Sequence, residues 1–388
     1  MAIPVSIINV TRTLRELWLH PGISRVELAA LLSMNKSSIT KIVQDLIDGG
    51  MVIPGDEGLP GPQGGRKPVA LNLNPRFGYL LGVEVNEETV RIVCLDFTGE
   101  EVFSREETLP PEKTDLTGMV RFAIDLAVPR IPLDMVLGAA VAVPGVVDAE
   151  KGIIRQSIPL GISRPFPLLY ELKEYYPFPL YLENDANCCC WGEISREEDL
   201  PLRNFLYILG EMRKTTSHEG PFPTGPVFGL GLALRGTVFH GEDYSAGEFR
   251  SIFNRNYSSC QLDIPPEDRS RFLTDPDLRR RALEELARNI ALVVNVLNLN
   301  RVVLGGFFHS FRESYEDLFL AEILKNNSYP ELAGISVALS RHGSFGVPFG
   351  AASYVLEKLY NISGQFGSEF LTADPSEGSL ISRIIRTA

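Results

Sequence analysis

Three short runs hold the residue types best suited to chemistry. The first is "ENDAN", where Asn184 and Asp185 follow the apolar run "PLYL". An amide both donates and accepts, and an ionised carboxylate only accepts, so the pair suits hydroxyl recognition. An Asp here also suits the cap of a following helix, and residue types alone leave both readings open. The second run, "LGVEVNEETVRIVCLDFTGEEV", covers residues 81–102 and reads as strand, turn, strand and turn. A turn of this kind cradles phosphate when glycine lets the backbone approach closely. Here the turn is Asn86-Glu87-Glu88. Each close like-charge pair costs from about 1 kcal/mol in water to about 4 kcal/mol near a protein surface, so two carboxylates oppose a polyphosphate. The third run is "NKSSITKIVQDLIDGG". At about 100° per residue, Ser37, Lys41 and Gln44 point away from Ile39, Ile42, Val43, Leu46 and Ile47. An apolar stripe that seats the helix, with small polar, amide and cationic groups opposite, is what a DNA recognition helix needs. Lys36 and the positive helix N-terminus suit phosphate.

The elements that must position these groups are legible from caps and breaks. Residues 11–19 have helical spacing and stop at Pro21-Gly22. Ser24 and Glu27 form a capping-box pattern ahead of "LAALL". Asn35 is the expected N-cap of the third helix and Gly49 its stop. "MVIP" and "PVALNLN" read as strands around "GDEGLPGPQGGRK". That Gly/Pro-rich loop ends in Arg66-Lys67, cations suited to a wing that meets DNA backbone or minor groove. Residues 1–76 are therefore expected to form a winged helix-turn-helix. "NLNPRFGYLL" follows with no long linker, which predicts a closely docked head.

Bulk properties fit this division. The chain has 388 residues, 44% hydrophobic and 22% charged, ordinary for a globular protein of two or three domains. Its net charge of −12 argues against nucleic acid coating the whole chain. Residues 1–76 hold eight Lys/Arg against six Asp/Glu, and the rest hold 29 against 43. A mildly basic head on an acidic body is compatible with operator DNA as partner. No apolar run approaches the roughly 18 residues of a membrane span, and the N-terminus lacks a secretory signal pattern. Five Cys, three adjacent, do not make a disulfide framework, so a cytoplasmic location is expected.

From residue 79 onward strands and helices alternate. The hairpin is followed by a helix around 115–127 and by "MVLGAAVAVPGVVD", a buried strand ending at Pro144-Gly145. Ligands of α/β sheets bind outside such strand ends. "PLYLENDANCCCWGE" reads as strand then helix, and "FLYILGE" with "GPVFGLGLALRGTVFHG" as a second hairpin. A long helix, the strand "RVVLGG" and a closing helix in "GVPFGAASYVLEKLY" complete the pattern. Two sheet domains are implied. Taken in order, "GGRKPVALNLNP", "VAVPGVVD", "ENDANCCCWGE", "GLGLALRGTVFHG", "SAGEF" and "LNRVVLGG" resemble the repressor/open-reading-frame/kinase (ROK) family, in its repressor branch. The resemblance covers residues 1 to about 361. It implies an α/β, ribonuclease-H/actin-like, two-lobed sugar-kinase-type body over 77–361, preceded by the winged helix-turn-helix domain. It also implies sugar-controlled DNA binding and homodimers or homotetramers.

The resemblance assigns Asp185 to the catalytic base, Asn184 to a sugar-hydroxyl ligand and Glu248 to a sugar-binding carboxylate. It also exposes departures. Glu84 stands where kinases of the family carry Asp, and Asn86-Glu87-Glu88 replace Gly-Gly-Thr. The second phosphate hairpin reads Gly229-Leu230-Gly231 in place of Gly-Thr-Gly, after an additional loop "RKTTSHEGPFPTGP". Asp185 is therefore read as a retained ligand group with no catalytic role. Ser251 replaces the zinc-binding His, and Cys260 alone cannot supply the four ligands of structural zinc. Asp263 is a weak substitute for a lost sugar-binding Glu. Cys188, Cys189 and Cys190 point about 100° apart on a helix and read as small buried residues. His218, His240, His309 and His342 lack ligand spacing. No metal or other cofactor is assigned. Arg164, Arg250 and Arg255 fall near the cleft by resemblance, which leaves an acidic sugar and plain surface arginines as alternatives. Residues 362–388 read as a linker and a short amphipathic segment. The expected function is a non-enzymatic, sugar-controlled transcriptional repressor of carbohydrate genes. A kinase with a fused head and a ligand-independent DNA-binding protein are the alternatives.

Overall fold

The computed structural model describes residues 5–57, 68–110, 115–195, 203–213, 225–254 and 260–360. Arg66 and Lys67 of the expected wing, Arg255, His218 and the 362–388 extension lie outside them. The chain divides into two compact units. The first comprises 1–141, 167–182 and 351–388, and the second 142–166 and 183–350.

The first unit begins with α1 (Val5–Leu19), α2 (Arg25–Leu31) and α3 (Lys36–Asp48), then an antiparallel pair of β1 (Val52–Glu57) and β2 (Val69–Leu73). The capping box forms as expected: Glu27 N–H donates to Ser24 Oγ at 3.4 Å, and Ser24 N–H donates to Glu27 Oε2 at 2.8 Å. These bonds satisfy donors that the first turn otherwise leaves unpaired. Asn35 caps α3 by accepting from Ser38 N–H at 2.8 Å. Leu28, Ile39, Val43 and Leu46 are buried at the centre of this head.

The rest of this unit is built on a five-stranded sheet. Its strands are β3 (Tyr79–Val85), β4 (Thr89–Asp96), β5 (Glu101–Thr108), β6 (Val136–Val143) and β9 (Leu180–Asn184), with α4 (Leu116–Asp125) between β5 and β6. Their order across the sheet is β5-β4-β3-β6-β9. β6 is buried at every position, which explains its unbroken apolar run. The short pair β7 (Val146–Asp148) and β8 (Ile153–Gln156) and helix α5 (Leu168–Leu172) precede β9.

Helix α6 (Asp185–Ser195) follows β9, and a second five-stranded sheet is built in the second unit. Its strands are β10 (Phe205–Arg213), β11 (Gly225–Leu234), β12 (Thr237–Val238), β13 (Arg301–Gly306) and β14 (Ser336–Leu339). Their order is β12-β11-β10-β13-β14, the same progression as the first sheet: third, second, first, fourth, fifth. Helices α7 (Pro276–Leu297) and α8 (Glu316–Lys325) cover it. Asp275 caps α7, Pro276 begins it, and Asn298 ends it in the left-handed conformation at φ 50°. Leu286, Ile290, Val302 and Phe319 meet in the core. Helix α9 (Gly346–Tyr360) closes the described chain.

The head does pack closely on its neighbour within the first unit. Trp18 Nε1 donates to Thr98 O at 3.0 Å, and its ring stacks on Tyr360 at 5.5 Å between centroids. Tyr360 is buried and donates its hydroxyl to Phe97 O at 2.8 Å. The solvent-accessible Arg15–Glu357 pair at 3.9 Å adds little. Loss of a hydrogen bond and an aromatic stack sets the expected cost of Trp18→Ala at about 2 kcal/mol. Faster amide exchange in α1 with unchanged exchange in β10–β13 is the expected signature, and uniform exchange would refute it.

Candidate functional site

A cavity of about 420 Å³ lies in the second unit, within the range of small-molecule sites. Asn184, Asp185 and Glu248, 64 residues apart in sequence at the extremes, all line it. Each reaches it for a local reason. Asn184 ends β9 and Asp185 opens α6. Asn184 Oδ1 accepts from Asn187 N–H at 3.1 Å, and its Nδ2 donates to Gly145 O at 2.9 Å. The cap on α6 is thus Asn184, whereas Asp185 Oδ1 accepts from the adjacent Ala186 N–H at 2.7 Å. Asn184 keeps one donor and one lone pair beyond these bonds.

Glu183 anchors this pair and escaped the sequence reading. It is fully buried. His240 Nε2 lies 2.7 Å from its Oε2, while Asn187 Nδ2 and Asn184 N–H donate to Oε1 at 3.1 and 2.8 Å. Burial pushes the Glu183 carboxyl up, but the imidazole and these donors outweigh it and hold the group below its ordinary range. His240 sits 57 residues away in sequence, so no local spacing rule reveals it.

Glu248 stands in a loop whose backbone is set by Gly247 at φ +94°. A Cβ on Gly247 would lie 1.9 Å from Leu230 O, so only glycine fits. The Glu248 carboxyl is exposed at the cavity, yet the surrounding protein desolvates it enough to raise its pKa against the attraction of Arg213. Arg213 and Arg250 also line the cavity. Arg164 and Asp263 do not: both are exposed, and Asp263 N–H is held by Glu285 at 3.1 Å. The suggestion that Asp263 replaces a cavity carboxylate is therefore corrected.

Amides tie down the segment that follows. Gln261 pairs with Phe228, accepting from its N–H at 2.7 Å and donating to its carbonyl at 2.9 Å. Asn254 Nδ2 donates to Cys260 O at 2.9 Å, and Asn289 Nδ2 to Ser251 Oγ at 3.0 Å. Ser251 thus serves a hydrogen-bonded loop, and Cys260 is buried. The three adjacent cysteines are buried in α6, where a Cβ on Gly231 of β11 would lie 2.5 Å from both Cys190 Sγ and Ala186 O. That close approach accounts for the small residues.

In the first unit Glu84 is buried, and its carboxylate is taken up internally. Asn86 Nδ2 donates to Oε1 at 2.8 Å, and Arg91 donates to both oxygens at 3.3 and 3.2 Å. Arg91 also bonds Glu106. Burial still pushes the Glu84 pKa up, against Arg91 and Asn86. Glu87 and Glu88 in the turn are exposed. On α3, Lys36, Ser37, Lys41 and Gln44 are all exposed. Gln44 Nε2 donates to Asp48 Oδ1 at 2.8 Å, and Ser37 Oγ to Asn35 Oδ1 at 2.8 Å. No helix among the described residues is long and apolar enough to cross a membrane.

Residues 80–211 match the profile of the ROK family. The xylose repressor of Bacillus subtilis (strain 168) is 28% identical over 266 residues, covering 65% of this chain and 63% of the relative. The chain spans about three-fifths of the length of the first curated relatives it matches. A crystal structure of a ROK family transcriptional regulator, a homologue of the E. coli MLC protein, superposes with a TM-score of 0.70 at 19% identity, covering 92% of this chain and 97% of that one. A ROK family glucokinase from Streptomyces griseus, solved with glucose and AMPPNP, gives 0.52 at 18% identity and covers 71% of this chain and 99% of its own. The likeness to the regulator thus covers more of this chain than that to the glucokinase. Residues 80–211 thus match a ROK-family domain, and the body has the actin-like fold of the ROK sugar kinases.

Proposed function

We propose that this protein is a transcriptional repressor whose hold on operator DNA is controlled by a sugar bound in the 420 Å³ cavity. The observation that carries the reading is the convergence of Asn184, Asp185 and Glu248 on one cavity, in a chain that also exposes Lys36, Ser37, Lys41 and Gln44 on a capped third helix. Asn184, Asp185 and Glu248 bind sugar hydroxyls, and α3 enters the major groove. Arg66 and Lys67 contact the backbone from the wing. A homodimer or homotetramer in the cytoplasm supplies two heads to a two-fold operator. The relatives named xylose repressor make D-xylose the first ligand to try. On this reading Asp185 serves no phosphoryl donor, because Glu84, at the position of the kinase Asp, is paired with Arg91 and accepts from Asn86. The sugar releases DNA only by binding the released arrangement more tightly than the DNA-bound one.

A mobility-shift titration on the protein's own promoter tests this. Gln44→Ala is expected to cost about 1–3 kcal/mol at one base position, whereas Lys36→Ala weakens all sequences alike and lowers the salt slope by about one. Asn184→Ala is expected to leave DNA binding intact and abolish release by sugar. Promoter binding with no sequence preference, or ATP-dependent sugar phosphorylation by the purified protein, would overturn the proposal.

A further inference from the structure

Tyr244 has a backbone that its residue type disfavours. Its φ is +63°, a left-handed conformation in which a bulky side chain is an outlier. Such strain persists only where the surroundings over-determine it, and it concentrates at ligand sites. Tyr244 lines the cavity together with Asn184, Asp185 and Glu248.

The surroundings are specific. The guanidinium of Arg155 stands 5.1 Å from the centre of the Tyr244 ring. Arg155 is itself held by buried Asp148 at 3.0 Å. The imidazole of His240, already paired with Glu183, lies 5.8 Å away at a 58° tilt. Desolvation, with the nearby carboxylates of Glu150 and Asp148, raises the pKa of the phenol and keeps it protonated. Carboxylates only accept, so the acceptors near this hydroxyl suit its protonated form. The apolar surface that Tyr244 offers the cavity is its aromatic ring.

An aromatic ring together with an amide and two carboxylates makes an amphipathic cavity lining. A pyranose has matching faces: a plane of C–H groups and a rim of hydroxyls. With the ring packed on the face that carries the C2 and C4 hydrogens, an axial hydroxyl at either carbon breaks that face and leaves a polar group against the ring without a partner.

We propose that Tyr244 is the specificity-determining residue of this cavity, its ring packing on the C–H face of a pyranose whose hydroxyls are all equatorial. The strained backbone is then the conformation that brings the ring to the ligand. This rests on the reading of the cavity as a sugar site.

Calorimetry with two epimer series provides the test: D-xylose against D-lyxose and L-arabinose, and D-glucose against D-mannose and D-galactose. The wild-type protein is expected to prefer the all-equatorial member of the series it binds by about tenfold or more. Tyr244→Gly, which relieves the positive φ, is expected to lose that preference to within about threefold, as is Tyr244→Leu, which keeps apolar bulk without a ring. Tyr244→Phe is expected to retain it, because the ring stays. Preference unchanged in the Gly and Leu variants, or no epimer preference in the wild type, would overturn the proposal and leave the sugar reading standing. No binding of any of the six sugars would overturn that reading and the proposal with it.

Discussion

Glu183→Ala is expected to destabilise the protein by about 4 kcal/mol, because three donors lose their acceptor and each orphaned buried group costs about 1–3 kcal/mol. The donors are His240 Nε2, Asn187 Nδ2 and the Asn184 N–H. Glu183→Gln is expected to cost much less. Its oxygen serves the two donors at Oε1, and a neutral imidazole accepts from its new N–H₂. Chemical denaturation at neutral pH measures both, and a cost below about 1.5 kcal/mol for the alanine variant would refute the anchoring role.

The same substitution has a pH signature. The folded Glu183 carboxyl titrates below its ordinary value of 4.5. The folded state therefore binds this proton less readily than the unfolded state. Its stabilisation is fully present above the ordinary value and is lost as pH falls through the folded pKa. The gap between wild type and Glu183→Ala should accordingly narrow in acid. Glu84 behaves oppositely, since burial raises its pKa. Its neutral form favours the fold, so its contribution is present below the ordinary value and is lost as pH rises through the folded pKa. Glu84→Ala is expected to be the milder change at neutral pH, because Arg91 retains Glu106 and some contact with solvent. Two buried glutamates thus differ in sign because one receives three donors in a dry site and the other a single shared guanidinium and one amide.

The second large effect is expected at Gly247. Alanine there meets two penalties: a positive φ, about 1–3 kcal/mol, and a Cβ forced against Leu230 O, of similar size. A total of about 3–5 kcal/mol is expected from their sum. The damage is also local to the cavity, since the loop that must shift carries both Tyr244 and Glu248. A thermal melt together with sugar calorimetry separates the two consequences. A Gly247→Ala protein with wild-type stability would show that the loop relaxes freely and that its backbone does not set the site.

Much of the fold was legible because it is written in local rules. The capping box at Ser24 and Glu27, the Asn35 cap and the apolar run of β6 each involve neighbours within a few residues. The buried cysteines followed from helical spacing, and Asn184 and Asp185 from residue type at a strand end. Other features depend on partners far apart in sequence. Glu183 and His240, Arg279 and Glu313, and Gln261 and Phe228 are separated by 57, 34 and 33 residues. No periodicity brings such pairs together; the order of strands does.

The sequence by itself determined which segments become helix or strand and which residues can meet a hydroxyl, because side-chain periodicity and capping act over one or two turns. Only the tertiary structure decided that Asn184 takes the cap beside Asp185 and that Arg91 and Asn86 occupy Glu84. It alone brought Tyr244, strained and held by Arg155, to the same cavity as Glu248. Those outcomes depend on burial and on long-range pairing, and the cost of leaving a buried charge or donor unmet selects among arrangements that the local sequence leaves equally available.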